Sequence, residues 1–177
     1  LGKNYYLSTG LGVIVIDGDR YEVKDSWFIG NGGNQVKVNG FTSDGTFFYA
    51  ATEEGLKKVL MNSSNPADYT NWQIVSGSNG LAAGSCKNVL TVQNKIIVQK
   101  NDSLFVQNGI AWSLLYTDAW PFVNVNTTEN KIQVCERQTS GISRVVILNP
   151  DGTVATTLAN TGAVSFPRKT ILYNNDP

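Results

Sequence analysis

Phe47-Phe48-Tyr49-Ala50-Ala51-Thr52-Glu53-Glu54-Gly55-Leu56-Lys57-Lys58-Val59 reads as two strands joined by a tight turn. An apolar run enters Thr52-Glu53-Glu54-Gly55, and a second leaves through Leu56. Turn residues between two apolar runs are a hairpin signal. Gly55 supplies the positive φ that such turns often need. The same hairpin occurs earlier in the chain. Tyr6-Leu7-Ser8-Thr9-Gly10-Leu11-Gly12-Val13 aligns without a gap on Tyr49 to Leu56, pairing Tyr6 with Tyr49, Thr9 with Thr52 and Gly12 with Gly55, 43 positions apart. A period of about 40–45 residues is that of a β-propeller blade.

Working outward from this unit, the chain divides into short strands and turns. Residues 5–30 hold three strands, Tyr5 to Thr9, Gly12 to Asp17 and Tyr21 to Ile29. Residues 36–76 hold four: Val36 to Thr42, Thr46 to Thr52, Leu56 to Met61 and Trp72 to Val75. Residues 88–116 hold Val89 to Val92, Lys95 to Gln99, Leu104 to Gln107 and Trp112 to Tyr116. Residues 122–159 hold Phe122 to Asn126, Lys131 to Glu136, Arg144 to Leu148 and Thr153 to Leu158. One further strand is expected within residues 164–173. Gly30-Asn31-Gly32-Gly33-Asn34, the polar stretch from Asn62 to Asn71, and Ser76 to Ser85 read as loops. Asn149-Pro150-Asp151-Gly152 has the composition of a type I or II turn.

Two more registers support the repeat. Asn94-Lys95-Ile96 matches Asn130-Lys131-Ile132, 36 positions on. Trp27, Trp72 and Trp112 fall in the last strands of successive units, 45 and 40 positions apart. No stretch carries helical periodicity over the ~11 residues needed to judge it. The apolar runs Phe47 to Ala51 and Val13 to Ile16 do not alternate, as expected of strands covered on both faces. A sandwich strand alternates because one face is wet. Tyr21-Glu22-Val23-Lys24-Asp25 does alternate, as an outer strand with a wet edge should. The expected fold is all-β: about four antiparallel four-stranded blades in a single domain, 1–177, forming part of a larger ring. The rival is a β-sandwich, which regular short strands also fit.

Composition bounds function. Lys+Arg and Asp+Glu are both 14, so the formal net charge is zero. Nucleic-acid binding calls for a basic footprint, and a polybasic membrane patch needs the same excess. The longest apolar runs are far shorter than the ~20 residues that span a bilayer. Leu1-Gly2-Lys3 is neither a signal peptide nor an initiator segment, and the chain reads as a piece of a longer protein. Histidine is absent. That removes the commonest general base and the Ser-His-Asp triad. Cys86 and Cys135 stand far apart with no CxxC, so two thiols are expected rather than a disulfide or metal knuckle.

Individual motifs divide between chemistry and turn-making. Gly10-Leu11-Gly12 begins like a dinucleotide fingerprint, but Val15 takes the third glycine's place and no helix follows. Asp17-Gly18-Asp19 has calcium-binding residue types in what is more often turn chemistry. Glu53 and Glu54 are a carboxylate pair of the kind glycosidases use, yet adjacent turn residues point apart. Asn62-Ser63-Ser64, Asn101-Asp102-Ser103 and Asn126-Thr127-Thr128 match the glycosylation sequon, a signal that would be irrelevant in a bacterium. Trp120-Pro121-Phe122 reads as a packing cluster more readily than as a ligand platform. No catalytic, cofactor or metal residues are assigned, and no ligand-binding residues are singled out.

Tyr5 to Asp17, followed by Glu22-Val23-Lys24-Asp25-Ser26-Trp27-Phe28-Ile29-Gly30, resembles the N-terminal propeller of PorZ-type proteins, surface components of the Bacteroidetes type IX secretion system. Phe48 to Leu56 followed by Asn71-Trp72 fits the same pattern. The likeness is sharp over residues 5–76. The unit is shared with the periplasmic sensor propellers of Bacteroidetes hybrid two-component regulators. The resemblance implies an exported protein at the cell surface or in the periplasm, with further domains elsewhere. It also implies a role in binding partner proteins and surface lipopolysaccharide, and carries no catalytic motif. The function expected is therefore a non-catalytic binding propeller. One alternative is an oligosaccharide-sensing propeller of a hybrid regulator. Another is a propeller glycosidase or lyase.

Overall fold

The computed structural model describes residues 3–62 and 65–159. Four antiparallel sheets follow one another along the chain. The first contains β1 (Asn4–Ser8), β2 (Val13–Asp17) and β3 (Glu22–Trp27). The second contains β4 (Val38–Ser43), β5 (Phe47–Thr52), β6 (Gly55–Leu60) and β7 (Gln73–Ile74). The third contains β8 (Asn88–Val92), β9 (Lys95–Lys100), β10 (Ser103–Asn108) and β11 (Ala111–Thr117). The fourth contains β12 (Phe122–Thr128), β13 (Lys131–Arg137), β14 (Ser143–Leu148) and β15 (Val154–Ala159). Each sheet is a meander in which every strand pairs with its neighbours in sequence. Among the described residues the helical segments are two single 3-10 turns, Asn31–Gly33 and Tyr69–Asn71. No described helix is long and apolar enough to cross a membrane.

The repeated hairpin recurs with the same pair of threonine hydrogen bonds. Thr52 Oγ1 donates to Gly55 O at 2.8 Å and accepts from Glu54 N at 3.1 Å. Thr9 Oγ1 donates to Gly12 O at 2.9 Å and accepts from Leu11 N at 3.2 Å. Gly55 has φ +136° and Gly12 φ +149°, where an L side chain is strained. β1 is therefore the counterpart of β5, the second strand of its sheet.

Alternating side chains of each middle strand serve two interfaces, because strand side chains have a period of two. Phe48 and Ala50 of β5 pack with Val13, Val15 and Trp27 of the first sheet. Tyr49 and Ala51 point the other way, onto Val89, Ile96 and Val98 of the third sheet. Ile97 of β9 turns toward Ile132 and Val134 of the fourth. Each sheet is thus packed face to face on the next, which explains the non-alternating apolar runs. The leading strands β4, β8 and β12 lie against one another at the hub.

Three expectations change in detail. The tryptophan spacing is not a structural register. Trp27 ends β3, Trp72 precedes β7, and Trp112 lies near the start of β11. Trp27 and Trp72 instead meet in one core, with ring centroids 6.4 Å apart. β3 does not alternate between buried and wet: it is exposed along its length except at Trp27, because no described sheet covers the outer face of the first sheet. The leading strand of the second sheet starts at Val38 rather than Val36, whose N–H bonds to Leu11 O at 3.4 Å. Cys86 and Cys135 are buried in different clusters, and no disulfide joins them. The strand expected within 164–173 lies outside the described residues.

Candidate functional site

A cleft of about 700 Å³ lies between the first and second sheets. Its floor is aromatic. Tyr6 lies at the centre, with ring centroids 4.9 Å from Phe48, 5.4 Å from Phe41 and 5.5 Å from Trp27. Tyr6 and Phe41 stack at 26°. Trp27 and Phe48 are buried, whereas Tyr6 and Phe41 stay partly open. The rim is polar. A bulge in the pairing of β2 with β3 puts Lys24 and Asp25 on the same lip. Asp25 Oδ2 accepts from Trp27 Nε1 at 2.8 Å, and Asp25 Oδ1 accepts from Ser26 N at 2.8 Å. Two donors thus fix this carboxylate at the mouth of an apolar cleft, and Lys24 Nζ reaches Asn4 Oδ1 at 3.4 Å. An aromatic floor with a few placed polar groups is the usual make-up of a ligand pocket.

A second basin, of about 580 Å³, opens at the hub and is polar. Asn39, Asn88 and Asn124 line it, one from each leading strand. Asn39 Nδ2 donates to Cys86 O at 2.9 Å, and Asn88 Nδ2 to Val125 O at 2.7 Å. Asn124 Oδ1 is buried without a hydrogen-bond partner.

A third cluster is charged. Glu136 is fully buried, and its Oε2 accepts from Arg144 Nε at 2.6 Å. Arg144 also pairs with Asp118 at 2.8 Å, and Tyr116 Oη lies 3.0 Å from Asp118 Oδ2 and 3.1 Å from Glu136 Oε1, its single proton shared between the two carboxylates. Burial pushes the Glu136 carboxyl above its ordinary value even though Arg144 pulls it down. The Arg144 guanidinium lies 4.2 Å from the centre of the Trp120 ring. Phe122 stacks on Tyr116 at 5.9 Å. Trp120-Pro121-Phe122 is therefore engaged internally, in cation–π and ring packing.

Other residues weighed from sequence are occupied in the same way. Asp17 Oδ1 accepts from the N–H groups of Asp19 and Arg20, closing the β2–β3 turn. Glu54 accepts from Lys57 Nζ at 2.6 Å and from Asn31 N at 3.0 Å, so it braces two loops. Among the described residues no group of three or more acidic or cysteine side chains is arranged to hold a metal ion. The sequon residue Asn101 sits in the β9–β10 turn with φ +51°, and Asn126 lies within β12. Ser63 and Ser64 of the first sequon lie outside the described residues.

Sequence reasoning missed the cleft and the hub asparagines. The cleft joins residues from both repeats, and nothing in a single strand announces it. The asparagines did leave a signal, Asn-x-x-Thr at 39–42, 88–91 and 124–127.

The comparisons with known proteins agree with this architecture. Residues 1–73 match the model of the PorZ N-terminal beta-propeller domain of the type IX secretion system. PorZ of Porphyromonas gingivalis, described as an essential bacterial surface component of that system, superposes with a TM-score of 0.61 at 15% identity. The match covers 94% of this chain and 26% of PorZ. The extracellular domain of BT4673, a putative one-component system of B. thetaiotaomicron, gives a TM-score of 0.63 at 16% identity, over 89% of this chain and 21% of that one. Chaetomium thermophilum Raptor gives 0.66 at 13%, over 96% and 16%. At these identities the likeness is one of fold: this chain is an all-β segment of propeller architecture. It spans about a quarter or less of the length of these structures. No curated protein sequence matches it.

Proposed function

We propose that the chain is a non-catalytic binding propeller of an exported protein at the cell surface or in the periplasm. It engages partner proteins of a secretion complex, surface polysaccharide, or both, through the cleft between the first two sheets. The observation that carries this reading is the cleft itself, an aromatic floor under a fixed carboxylate, within the residues that match the PorZ propeller model. Ring faces pack against the apolar face of a sugar or an apolar side chain, while Asp25, Lys24 and Asn4 offer hydrogen bonds. Glu136 and Asp118 are saturated by Arg144 and Tyr116, which favours a structural role for them over acid–base chemistry.

The test is titration of the full-length protein with purified lipopolysaccharide and with delipidated polysaccharide, read by tryptophan fluorescence. Binding that weakens about tenfold or more in Tyr6→Ala and in Asp25→Ala supports the cleft. No binding by any fraction, or binding indifferent to both substitutions, removes polysaccharide from the reading. A pull-down of secretion-system proteins with the same variants then decides the protein-partner half.

The sensor propeller of a hybrid two-component regulator is the second reading, favoured by the likeness to the BT4673 extracellular domain, which a second structure describes as part of a hybrid two component system. A membrane helix and kinase after the propeller in the full-length sequence would select it.

A further inference from the structure

The hub basin shares no lining residue with the cleft between the first two sheets. The second, third and fourth sheets border it: Asn39 comes from β4, Asn88 from β8, Gln99 from β9 and Asn124 from β12. Its volume, about 580 Å³, lies in the range of small-ligand pockets.

Part of the polar lining is spent on the fold. Asn39 Nδ2 and Asn88 Nδ2 hold the main-chain carbonyls of Cys86 and Val125. The rest is unspent. Gln99 is 7% exposed and donates Nε2 to Asn101 O at 3.1 Å, and no described donor reaches its Oε1. Asp102, in the β9–β10 turn, accepts from Phe122 N through Oδ1 at 2.7 Å. That bond fixes the carboxylate and leaves Oδ2 without a described donor. Asn124 Oδ1 is buried with no partner. The last torsion of an asparagine is soft, so a turn of this side chain brings its amide to the basin. An acceptor shielded from water and left without a donor is unfavourable, so this set favours a ligand that brings donors.

Charge selects the kind of donor. Asp102 is the one carboxylate of the lining and Lys87 the one ammonium, so the basin is close to neutral. A calcium ion takes about six to eight oxygen ligands with carboxylates among them, and here it would sit in the same basin as an ammonium. An anion would meet mainly acceptors. Neutral hydroxyls fit both signs: each donates to an amide or carboxylate oxygen and accepts from Lys87. Phe122, stacked on Tyr116 with ring centroids 5.9 Å apart, adds an apolar border for the C–H face of a sugar ring. We propose that the hub basin is a second binding site, separate from the cleft, for a neutral polyhydroxylated ligand: one pyranose unit, held by Gln99, Asp102 and Asn124.

The experiment uses the full-length protein. It is titrated by saturation-transfer NMR with the methyl glycosides of glucose, galactose, mannose and N-acetylglucosamine, and in parallel with calcium chloride and propylammonium chloride. The expected result is millimolar binding of at least one glycoside, weakened about tenfold in Gln99→Leu and in Asn124→Leu. A diazirine derivative of that glycoside, photolysed on the wild-type protein and mapped by mass spectrometry, should label residues 99–102 or 122–125. This labelling decides the matter even where a variant fails to fold. Displacement of the glycoside by delipidated polysaccharide assigns the unit to a chain, and no displacement assigns it to a free sugar; both uphold the site. Four results would overturn the proposal: no glycoside binds; the label falls on residues 4–6, 24–27 or 41–43, which belong to the cleft; Tyr6→Ala abolishes binding while Gln99→Leu leaves it intact; or calcium or propylammonium displaces the glycoside from the hub.

Discussion

Lys57 Nζ donates to the main-chain carbonyl of Ile29 at 2.7 Å, an ammonium from the middle of the second sheet capping the chain as it leaves the first. Lys57 is 3% exposed, and it also donates to Glu54 at 2.6 Å and to Asn31 Oδ1 at 3.2 Å. One buried cation thus holds the turn after β5 and the loop after β3 in a fixed relation. Packing alone would let these two loops slide, because both are polar. The cation ties the exit of the first sheet to the second sheet.

Lys57→Met keeps the aliphatic stem and removes the charge. It strands a buried carbonyl and leaves Glu54 without its cation. The expected loss is about 2–4 kcal/mol in urea unfolding, at the lower end because Glu54 is partly solvated. Glu54→Gln should cost less, about 1 kcal/mol, since the Ile29 bond survives it. A larger loss from Glu54→Gln than from Lys57→Met would show that the carbonyl bond contributes little.

Gly55→Val is expected to destabilise more than Gly45→Val. Both glycines have positive φ, +136° and +88°. At Gly45 a Cβ meets open space, whereas at Gly55 it would meet Ser76 Oγ, which accepts from Leu56 N. Backbone strain of about 1–3 kcal/mol is common to both, and only Gly55 adds the displacement of that hydroxyl. Equal melting temperatures for the two variants would count against this turn being the tighter one.

The hairpin was legible because its determinants are local. Thr52 and Gly55 act within four residues, and the 43-residue repeat displays them twice. The two-sided burial of Phe47 to Ala51 was legible for the same reason. The tryptophan spacing misled because burial tolerates any strand position that faces a neighbouring sheet. Trp27 and Trp72 fill one core from non-equivalent places. The site was less readable. Tyr6 and Phe41 belong to separate units, and only the packing of one sheet on the next brings their rings within 5.4 Å. Lys57 appeared as one of two consecutive lysines with nothing to mark it as buried.

Stability should respond to pH through Glu136 with a sign opposite to that of most carboxylates. Burial pushes its carboxyl up, against the pull of Arg144, so the folded chain holds the proton more tightly than the unfolded chain. Native protein therefore binds more protons between the ordinary value near 4.5 and the raised one. The contribution is full below that ordinary value and is lost as pH rises through the raised value. Glu136→Gln should then gain on wild type as pH climbs from about 4 to 7, measured as the difference in unfolding free energy. A gap that closes with rising pH would mean that Arg144 outweighs burial.

The leading strands at the hub make a prediction about coupling rather than about single losses. Thr42 and Thr91 come from different sheets, 49 positions apart in sequence, and share one hydroxyl bond at 2.8 Å. Thr→Val keeps the branched shape and removes the hydroxyl. Either substitution alone leaves the other oxygen short of a partner in a partly buried site, while both together leave only the Ser43 carbonyl short of its donor. The double variant should therefore cost less than the sum of the singles, with a coupling of about 0.5–1 kcal/mol. Thr91→Val carries an extra loss, because Thr91 Oγ1 also donates to Ser43 O. The asymmetry distinguishes a directed ladder from simple proximity: Thr91→Val should lower the melting temperature more than Thr42→Val. Additive losses, or a larger loss at Thr42, would mean that the two leading strands are held together by packing alone.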